Sequence, residues 1–267
     1  MATLEPQVTC SSTVALPAVS PARPALQVRV GWASAAAAGK VNEDSYAVVT
    51  PAAAEDLRRG AVLVVAGSVG GGDAARLVAE AALRGLVRDY YATPEAWSVG
   101  RALDRLLRAS NDWLWSQNAR RPEQDATVIA LSLIVLRDQH YYLAHVGDTR
   151  VYRARGKVFK QLTVDHTWQR NDMRHVLRRA VGLDSHLVVD FADGELQADD
   201  IFLLASDGVW EVLGDRAMTE IVRSGSDPAA MAQALVDSAR QHQAAYMGRN
   251  DSTAIVFKVE AHSQTPP

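Results

Sequence analysis

Four short acidic motifs, far apart along the chain, carry the side chains most suited to chemistry. Each lies beside a predicted strand end: Asn42-Glu43-Asp44, Gly147-Asp148-Thr149-Arg150, Ser206-Asp207-Gly208 and Asn250-Asp251. A fold can gather such strand ends at one place, and Mg²⁺ and Mn²⁺ prefer oxygen ligands such as carboxylates. The motifs therefore predict a hard-cation site assembled from remote segments.

Each acidic motif also has a plain structural interpretation. Gly147-Asp148 is typical of a hairpin turn, and Ser206-Asp207-Gly208 is typical of a turn in which Asp bonds its own backbone. Asn250-Asp251-Ser252 resembles a common loop, and Asn42-Glu43-Asp44 resembles a solvated turn. Taken singly, each motif favours the structural interpretation; taken together, they favour a metal site.

Alternating strand and helix patterns must position these motifs. Short apolar or alternating runs predict strands over residues 28–33, 45–49, 62–66, 127–136, 139–146, 150–154, 201–205 and 253–259. Apolar spacings of three and four predict helices over 73–91, 99–118 and 228–245, and 165–182 is expected to combine loop and helix. Strand runs and helix pairs in separate blocks predict an α+β fold. We expect two antiparallel sheets packed as a sandwich and flanked by helix pairs, in four layers α-β-β-α.

The composition predicts one folded domain over residues 26–261. Residues 1–25 are rich in Pro, Ala, Ser and Thr and are expected to form a disordered leader, and residues 262–267 a disordered tail. A hydrophobic fraction of 48% over 267 residues is enough for a sizeable core.

Charge and cysteine content limit which partners and which cellular compartment are expected. A net charge of −3 gives no electrostatic footprint for nucleic acid, and no apolar run reaches the length of a membrane span. Cys10, the single cysteine, rules out an internal disulfide and fits a reducing cytoplasm. We therefore expect a cytoplasmic protein with neither nucleic-acid nor membrane partners.

The order of the motifs resembles the metal-dependent type 2C serine/threonine protein phosphatases, in their bacterial form. The matching segments run from Gly31 to about Lys258 and comprise residues 42–44, 70–71, 144–150, 162–166, 178–182, 203–208 and 249–253. Any one segment is a weak signal, whereas seven in the family's order are a strong one.

The resemblance implies a metal site, a reaction and partners. It implies Mn²⁺ or Mg²⁺ at two sites and a metal-activated water that hydrolyses phosphoserine or phosphothreonine. The implied metal ligands are Glu43, Asp44, Ser68 (through its carbonyl), Asp148, Asp207 and Asp251, with Asp148 at a third, weaker metal. The implied catalytic residues are Lys40 and Asp44. The implied partners are a phosphorylated protein substrate and a cognate serine/threonine kinase.

Two positions depart from the family pattern. The family has Ala-Asp-Gly-x-Gly-Gly after the buried strand, and its Asp bridges both metals, but this chain has Gly67 there. We therefore expect at least one weakened metal site, unless the nearby Asp73 swings in; Asp73 fits better as a helix N-terminal residue. The phosphate-binding arginine is replaced by Gly39, and the adjacent Lys40 supplies a point charge without the arginine fork.

Three functions remain open on the sequence. The first is an active metal-dependent phosphatase. The second is a pseudophosphatase that binds a phosphoprotein or a kinase without hydrolysis, which Gly67 and Gly39 favour. The third is a regulatory scaffold with the tryptophans at 97, 113 and 115 at an interface, although helix-spaced tryptophans are more often core residues.

The remaining polar motif residues are expected to be structural. His140, His145, His175 and His186 lack the spacing of metal ligands, and Asp165-His166 is expected to be a satisfied structural pair.

Overall fold

Two antiparallel β-sheets form the centre of the computed structural model, which describes residues 8–16, 26–51, 58–70, 73–122, 126–168, 173, 175–243 and 250–261. Within these residues the first sheet has six strands, in the order β1 (Val8–Leu16), β2 (Leu26–Ala35), β11 (Ser252–Ala261), β10 (Ile201–Ala205), β7 (Arg150–Arg155) and β8 (Val158–Gln161). The second has five, in the order β3 (Asp44–Val49), β4 (Ala61–Val69), β5 (Val128–Arg137), β6 (His140–Val146) and β9 (Asp190–Glu195).

Helix pairs cover the outer face of each sheet. α1 (Asp73–Tyr91) and α2 (Val99–Asn118) pack on the second sheet, whereas α3 (Asp207–Ser224) and α4 (Pro228–Gln243) pack on the first. The four-layer α-β-β-α architecture predicted from the sequence is confirmed. No described helix has the length and apolar composition needed to cross a membrane.

The apolar core lies in three layers because the central strands are covered on both faces. In β11, Phe257 faces the opposite sheet, whereas Val256 faces the helices α3 and α4. Phe257 stacks on Phe202 of β10 with ring centroids 4.5 Å apart. Burying a side chain of this size contributes about 2–3 kcal/mol. Double coverage explains why these strands are continuous apolar runs in the sequence.

The strand register brings the acidic motifs to one end of the sandwich. Asp44 begins β3 and pairs with Gly67 near the end of β4. In the first sheet, Ala205 at the end of β10 pairs with Arg150 on one side and with Ala254 on the other. The turn before β7, the start of α3 and the loop before β11 therefore lie close together.

Part of the N-terminal segment that was expected to be disordered forms a strand in the structure. Val8–Leu16, within the residues expected to be disordered, form β1 and pair antiparallel with β2 over its full length. The segment contains several β-branched residues, which favour a strand once a sheet edge is available. The rest of the expected leader and the expected tail at 262–267 lie outside the described residues.

Other elements were not expected from the sequence. β8 and β9 lie at sheet edges, and the acidic, exposed β9 lacks the alternating apolar pattern of a strand. α3 contains Gly208 and Gly214, and Gly214 has a φ of 65° at a kink, so the helical pattern is interrupted. In the 165–182 segment the described residues form turns and isolated bridges and no helix.

Candidate metal centre

A cavity of about 230 Å³ lies where the strand ends meet. It is lined by all seven residues for which the sequence predicts a site role: Lys40, Glu43, Asp44, Ser68, Asp148, Asp207 and Asp251. Gly67 and His175 also line it. Five remote segments of the chain therefore contribute to one polar cavity, as the motif order predicts.

Asp44 places a buried carboxylate oxygen at the cavity. Its Oδ2 is buried and has no hydrogen-bond partner among the described residues. Burial, followed by the charge of Asp207, raises the pKa of Asp44 well above its usual range. A buried carboxylate oxygen without a partner is unfavourable, and a bound cation would compensate it.

Asp148 and Asp207 share this environment. Burial, followed by the charge of Asp207, raises the pKa of Asp148 to about 7. Burial also raises the pKa of Asp207 to about 6, although the Gly208 N–H donates to its Oδ1 at 2.7 Å and opposes the shift. Asn250 Nδ2 donates to the other oxygen at 2.8 Å. Buried carboxylates that line one cavity fit a divalent cation, which would favour their charged forms.

Asp251 orders the loop between β2 and β3. Its Oδ1 accepts a hydrogen bond from the Ala37 backbone N–H at 2.7 Å, and its Oδ2 accepts one from the Glu43 N–H at 2.6 Å. Ser68 Oγ donates to the Glu43 carbonyl at 2.7 Å. A carboxylate offers about four lone-pair sites, so both Asp251 oxygens keep capacity for a cation while they hold Glu43 in place.

The carboxylates surround the cavity without forming a compact ligand cluster. Across the described ranges, no three His, Cys, Asp or Glu side chains are grouped closely enough to hold one ion. The donor set, made of carboxylate and backbone oxygens, still fits Mg²⁺ or Mn²⁺, because such ions keep several waters and take few protein carboxylates.

Gly67 leaves room beside Asp44. A Cβ built on Gly67 would meet a single neighbouring atom, Asp44 Oδ1, at 3.5 Å, which is ordinary van der Waals contact. The position supplies no side-chain ligand but can accommodate one.

The sequence profile of the family described as protein phosphatase 2C matches residues 42–183 and 192–246. The chain belongs to the protein phosphatase 2C family. The matched segments contain Asn42-Glu43-Asp44, Asp148 and Asp207, whereas Asp251 lies just beyond them.

Several known proteins resemble the chain along most of its length. The serine/threonine phosphatase stp of Listeria innocua is 25% identical over 245 residues, 81% of this chain and 90% of that relative. The structure of PppA, a key regulatory component of T6SS in Pseudomonas aeruginosa, matches with a TM-score of 0.72 at 25% identity, covering 93% of this chain and all of PppA. The structure of the catalytic domain of the phosphatase PstP, in complex with two manganese ions, matches with a TM-score of 0.63 at 23% identity. The match covers 96% of this chain and 100% of the PstP domain.

Two of the residues that line the cavity of this phosphatase 2C chain, Lys40 and His175, have basic side chains. Lys40 is exposed and follows a turn in which its N–H donates to the Ala37 carbonyl at 3.0 Å. His175 is exposed, with Nδ1 3.4 Å from Glu211 Oε1. The sequence predicted a structural role for His175, and this stays a prediction; the structure shows only that the residue lines the cavity.

The other histidines near the cavity are buried in the fold. His145 is 1% exposed, and burial, followed by the charge of His166, lowers its pKa to about 4. The neutral ring donates from Nε2 to the Val164 carbonyl at 3.1 Å and accepts from Ser132 Oγ at 2.9 Å. His145 is therefore structural, as expected.

Asp165 and His166 are satisfied by different partners rather than by each other. Arg150 Nη2 donates to Asp165 Oδ2 at 2.7 Å, and its Nε donates to Oδ1 at 2.9 Å. His166 Nδ1 accepts from the Gly147 N–H at 3.1 Å, so its Nε2 donates to Asp190 at 3.0 Å. Both residues brace the turn that carries Asp148.

Proposed function

We propose that the chain is a metal-dependent protein serine/threonine phosphatase that hydrolyses phosphoserine and phosphothreonine in protein substrates. The observation that carries this proposal is the single cavity in which the acidic residues of four remote segments meet, in a chain of the phosphatase 2C family. The name of the Listeria relative and the manganese ions bound to PstP support the same activity and the use of Mn²⁺ or Mg²⁺.

The proposed ligands are Glu43, Asp44, Asp207 and Asp251, with the Ser68 carbonyl completing the set and Asp148 at a weaker site. When bound, divalent ions supply an acidified water and neutralise the phosphoryl oxygens. With an ion bound, Asp44 and Asp207 would supply the buried negative charge, and Asp251 keeps Glu43 in register by accepting a hydrogen bond from the Glu43 backbone N–H.

Lys40 is proposed to bind the substrate phosphate. It lies exposed at the cavity, where its ammonium group can approach a phosphate dianion from solvent. Because an ammonium group acts as a point charge, Lys40 steers the phosphate without fixing its orientation as an arginine fork would.

Gly67 sets the proposed strength of metal binding. Without a carboxylate at this position, two cations in the cavity have less negative charge between them. We therefore propose two ion sites, at least one of them weak, and an activity that needs a high concentration of free metal.

The proposed setting is a cytoplasm in which a cognate serine/threonine kinase produces the phosphorylated substrate. The single cysteine supports a reducing compartment.

The test is hydrolysis of a phosphothreonine peptide by the full chain, with Mn²⁺, with Mg²⁺ and with excess EDTA. We expect turnover with metal, none with EDTA, and a loss of about a hundredfold or more in Asp207→Asn, because an anchoring charge is removed. Asp104→Asn, on the exposed face of α2, is the matched control and should retain wild-type turnover. Absence of turnover in wild type with both metals, together with retained phosphopeptide binding, would contradict the proposal and favour the pseudophosphatase alternative.

A further inference from the structure

Trp210 connects two of the carboxylates that line the cavity. It lies in the first turn of α3, three residues after Asp207. Its indole Nε1–H donates to the backbone carbonyl of Asp148 at 2.9 Å. The helix that begins at Asp207 is thereby tied to the turn that carries Asp148.

The indole of Trp210 is itself held in place by Arg150. The Arg150 guanidinium carbon lies 3.4 Å from the centre of the Trp210 ring, a cation–π contact. The same guanidinium forks onto both oxygens of Asp165 and donates from Nη1 to the Tyr152 hydroxyl at 3.1 Å. Arg150 and Asp165, two motif residues without a place in the reaction, thus fix the plane of the indole.

The peptide on the other side of Asp148 is fixed by His166. The Gly147 N–H donates to His166 Nδ1 at 3.1 Å, and the His166 N–H donates to the Gly147 carbonyl at 2.7 Å. The indole N–H of Trp210 also holds the Asp148 carbonyl. The backbone of Asp148 is thus fixed from both sides, and mainly its side-chain torsions stay free.

We propose that Trp210 is a positioning residue that sets the separation of Asp148 and Asp207, and with it the affinity for the divalent ion that Asp148 helps to hold. The inference rests on the proposed metal site, and it assigns to Trp210 a role in metal affinity rather than in the chemical step. Loss of the indole N–H frees the Asp148 carbonyl to move away from α3.

The first experiment compares Mn²⁺ binding to wild type and to Trp210→Phe, from the electron paramagnetic resonance signal of free Mn²⁺. Phenylalanine keeps a ring for Arg150 but has no N–H. We expect the affinity of the weaker class of sites to fall about fivefold, the usual effect of one neutral hydrogen bond. The turnover number at saturating Mn²⁺ should stay within about twofold. Trp113→Phe, an exposed tryptophan on α2, should bind Mn²⁺ as wild type does.

A double-mutant cycle with Asp148→Asn decides whether Trp210 acts through Asp148. If it does, Trp210→Phe has no further effect on Mn²⁺ binding in the Asp148→Asn background. Arg150→Lys removes the guanidinium that stacks on the Trp210 ring and its two-pronged contact with Asp165, but it leaves Trp210 intact. It should weaken Mn²⁺ binding at the same weaker sites, and it replaces Trp210→Phe as the test if that variant folds poorly.

Three results would overturn the inference: an unchanged Mn²⁺ isotherm in Trp210→Phe, additive effects in the cycle, or an Asp148→Asn isotherm identical to wild type. A purely structural role would lower the melting temperature of Trp210→Phe without changing the affinity of the folded protein. If wild type binds Mn²⁺ but does not hydrolyse phosphopeptide, the proposed function fails, while the binding cycle still decides the role of Trp210.

Discussion

Among single residues, Gly67 has the largest expected influence on the cavity. It faces Asp44 across the β3–β4 pair, and a Cβ there meets Asp44 Oδ1 at an ordinary distance of 3.5 Å. The backbone therefore does not oppose a side chain at this position. What a carboxylate there would change is the charge of the cavity.

Gly67→Asp should strengthen metal binding and destabilise the metal-free protein. A second carboxylate beside Asp44 adds attraction for a dication, so we expect the Mn²⁺ concentration for half-maximal turnover to fall more than about tenfold. Without metal, the like charges should lower the melting temperature. Gly67→Asn, which has nearly the same shape but no charge, is the control. Equal responses of the Asp and Asn variants would argue against the electrostatic explanation.

His145 should make the stability of the protein depend on pH. Its folded-state pKa is lowered from 6.5 to about 4. Between these two pH values the unfolded chain binds a proton at His145 that the folded chain does not. The contribution of His145 to the free energy of unfolding is therefore complete above about pH 6.5 and is lost as the pH falls towards 4. The full loss is about 3 kcal/mol.

Urea unfolding of wild type and His145→Gln from pH 7.5 to pH 4.5 tests this expectation. The difference in unfolding free energy between the two proteins should shrink as the pH falls, because other titrating groups are common to both. His186→Gln, at an exposed position, should follow wild type at every pH. A pH-independent difference for His145→Gln would refute the assignment.

At the scale of elements, α2 anchors the end of the loop that also contributes His175 to the cavity. Asn111, 1% exposed on this helix, donates from Nδ2 to the Asp184 carbonyl at 2.9 Å. Its Oδ1 accepts from the Gly182 N–H at 2.8 Å. One buried amide thus satisfies two backbone groups of the loop.

Asn111→Leu should lower the free energy of unfolding by about 2–4 kcal/mol, because two backbone groups lose their partner while the volume is nearly kept. Urea denaturation measures the change. Asp112→Ala, at the next and exposed position of the same helix, should stay within about 0.5 kcal/mol of wild type. A loss for Asn111→Leu no larger than that of Asp112→Ala would show that water replaces the amide.

The sequence predicted some elements well and others not at all. The ranges 73–91 and 99–118 were predicted as they are found, because each has a clear apolar stripe and α2 begins with the side-chain cap of Ser98. β9 was missed because an exposed edge strand needs backbone pairing with β6 and no apolar face. Pairing partners are a tertiary property and leave no local pattern.

At the scale of the whole molecule, the predicted site residues lie around one cavity because the family's motif order implies a shared fold. The sequence could not reveal that Trp210 bonds to Asp148, that Asp251 ties two backbone N–H groups, or that His175 reaches the cavity. Each of these depends on distances between segments that no motif encodes.

Metal should stabilise the whole domain, since a bound dication compensates the unfavourable burial of the Asp44, Asp148 and Asp207 carboxylates. At a free Mn²⁺ concentration about a hundredfold above the dissociation constant, the free energy of unfolding should rise by about 2.7 kcal/mol, provided that the unfolded chain does not bind Mn²⁺. We expect a rise of several degrees in melting temperature by calorimetry, reversed by EDTA. Asp207→Asn should show a smaller rise. An equal rise in that variant would place the bound ion elsewhere.

β11 lies in the middle of its sheet, between β2 and β10, although it is the last described strand of the chain. The first sheet therefore cannot close while residues up to 261 are still inside the ribosome. Asp251 directly precedes this strand and is therefore synthesised at the same stage. Until then the nascent chain lacks the carboxylate that holds the loop between β2 and β3, and the cavity is incomplete. Long-range pairing of this kind makes folding slow, and the protein becomes active only after synthesis has passed this strand.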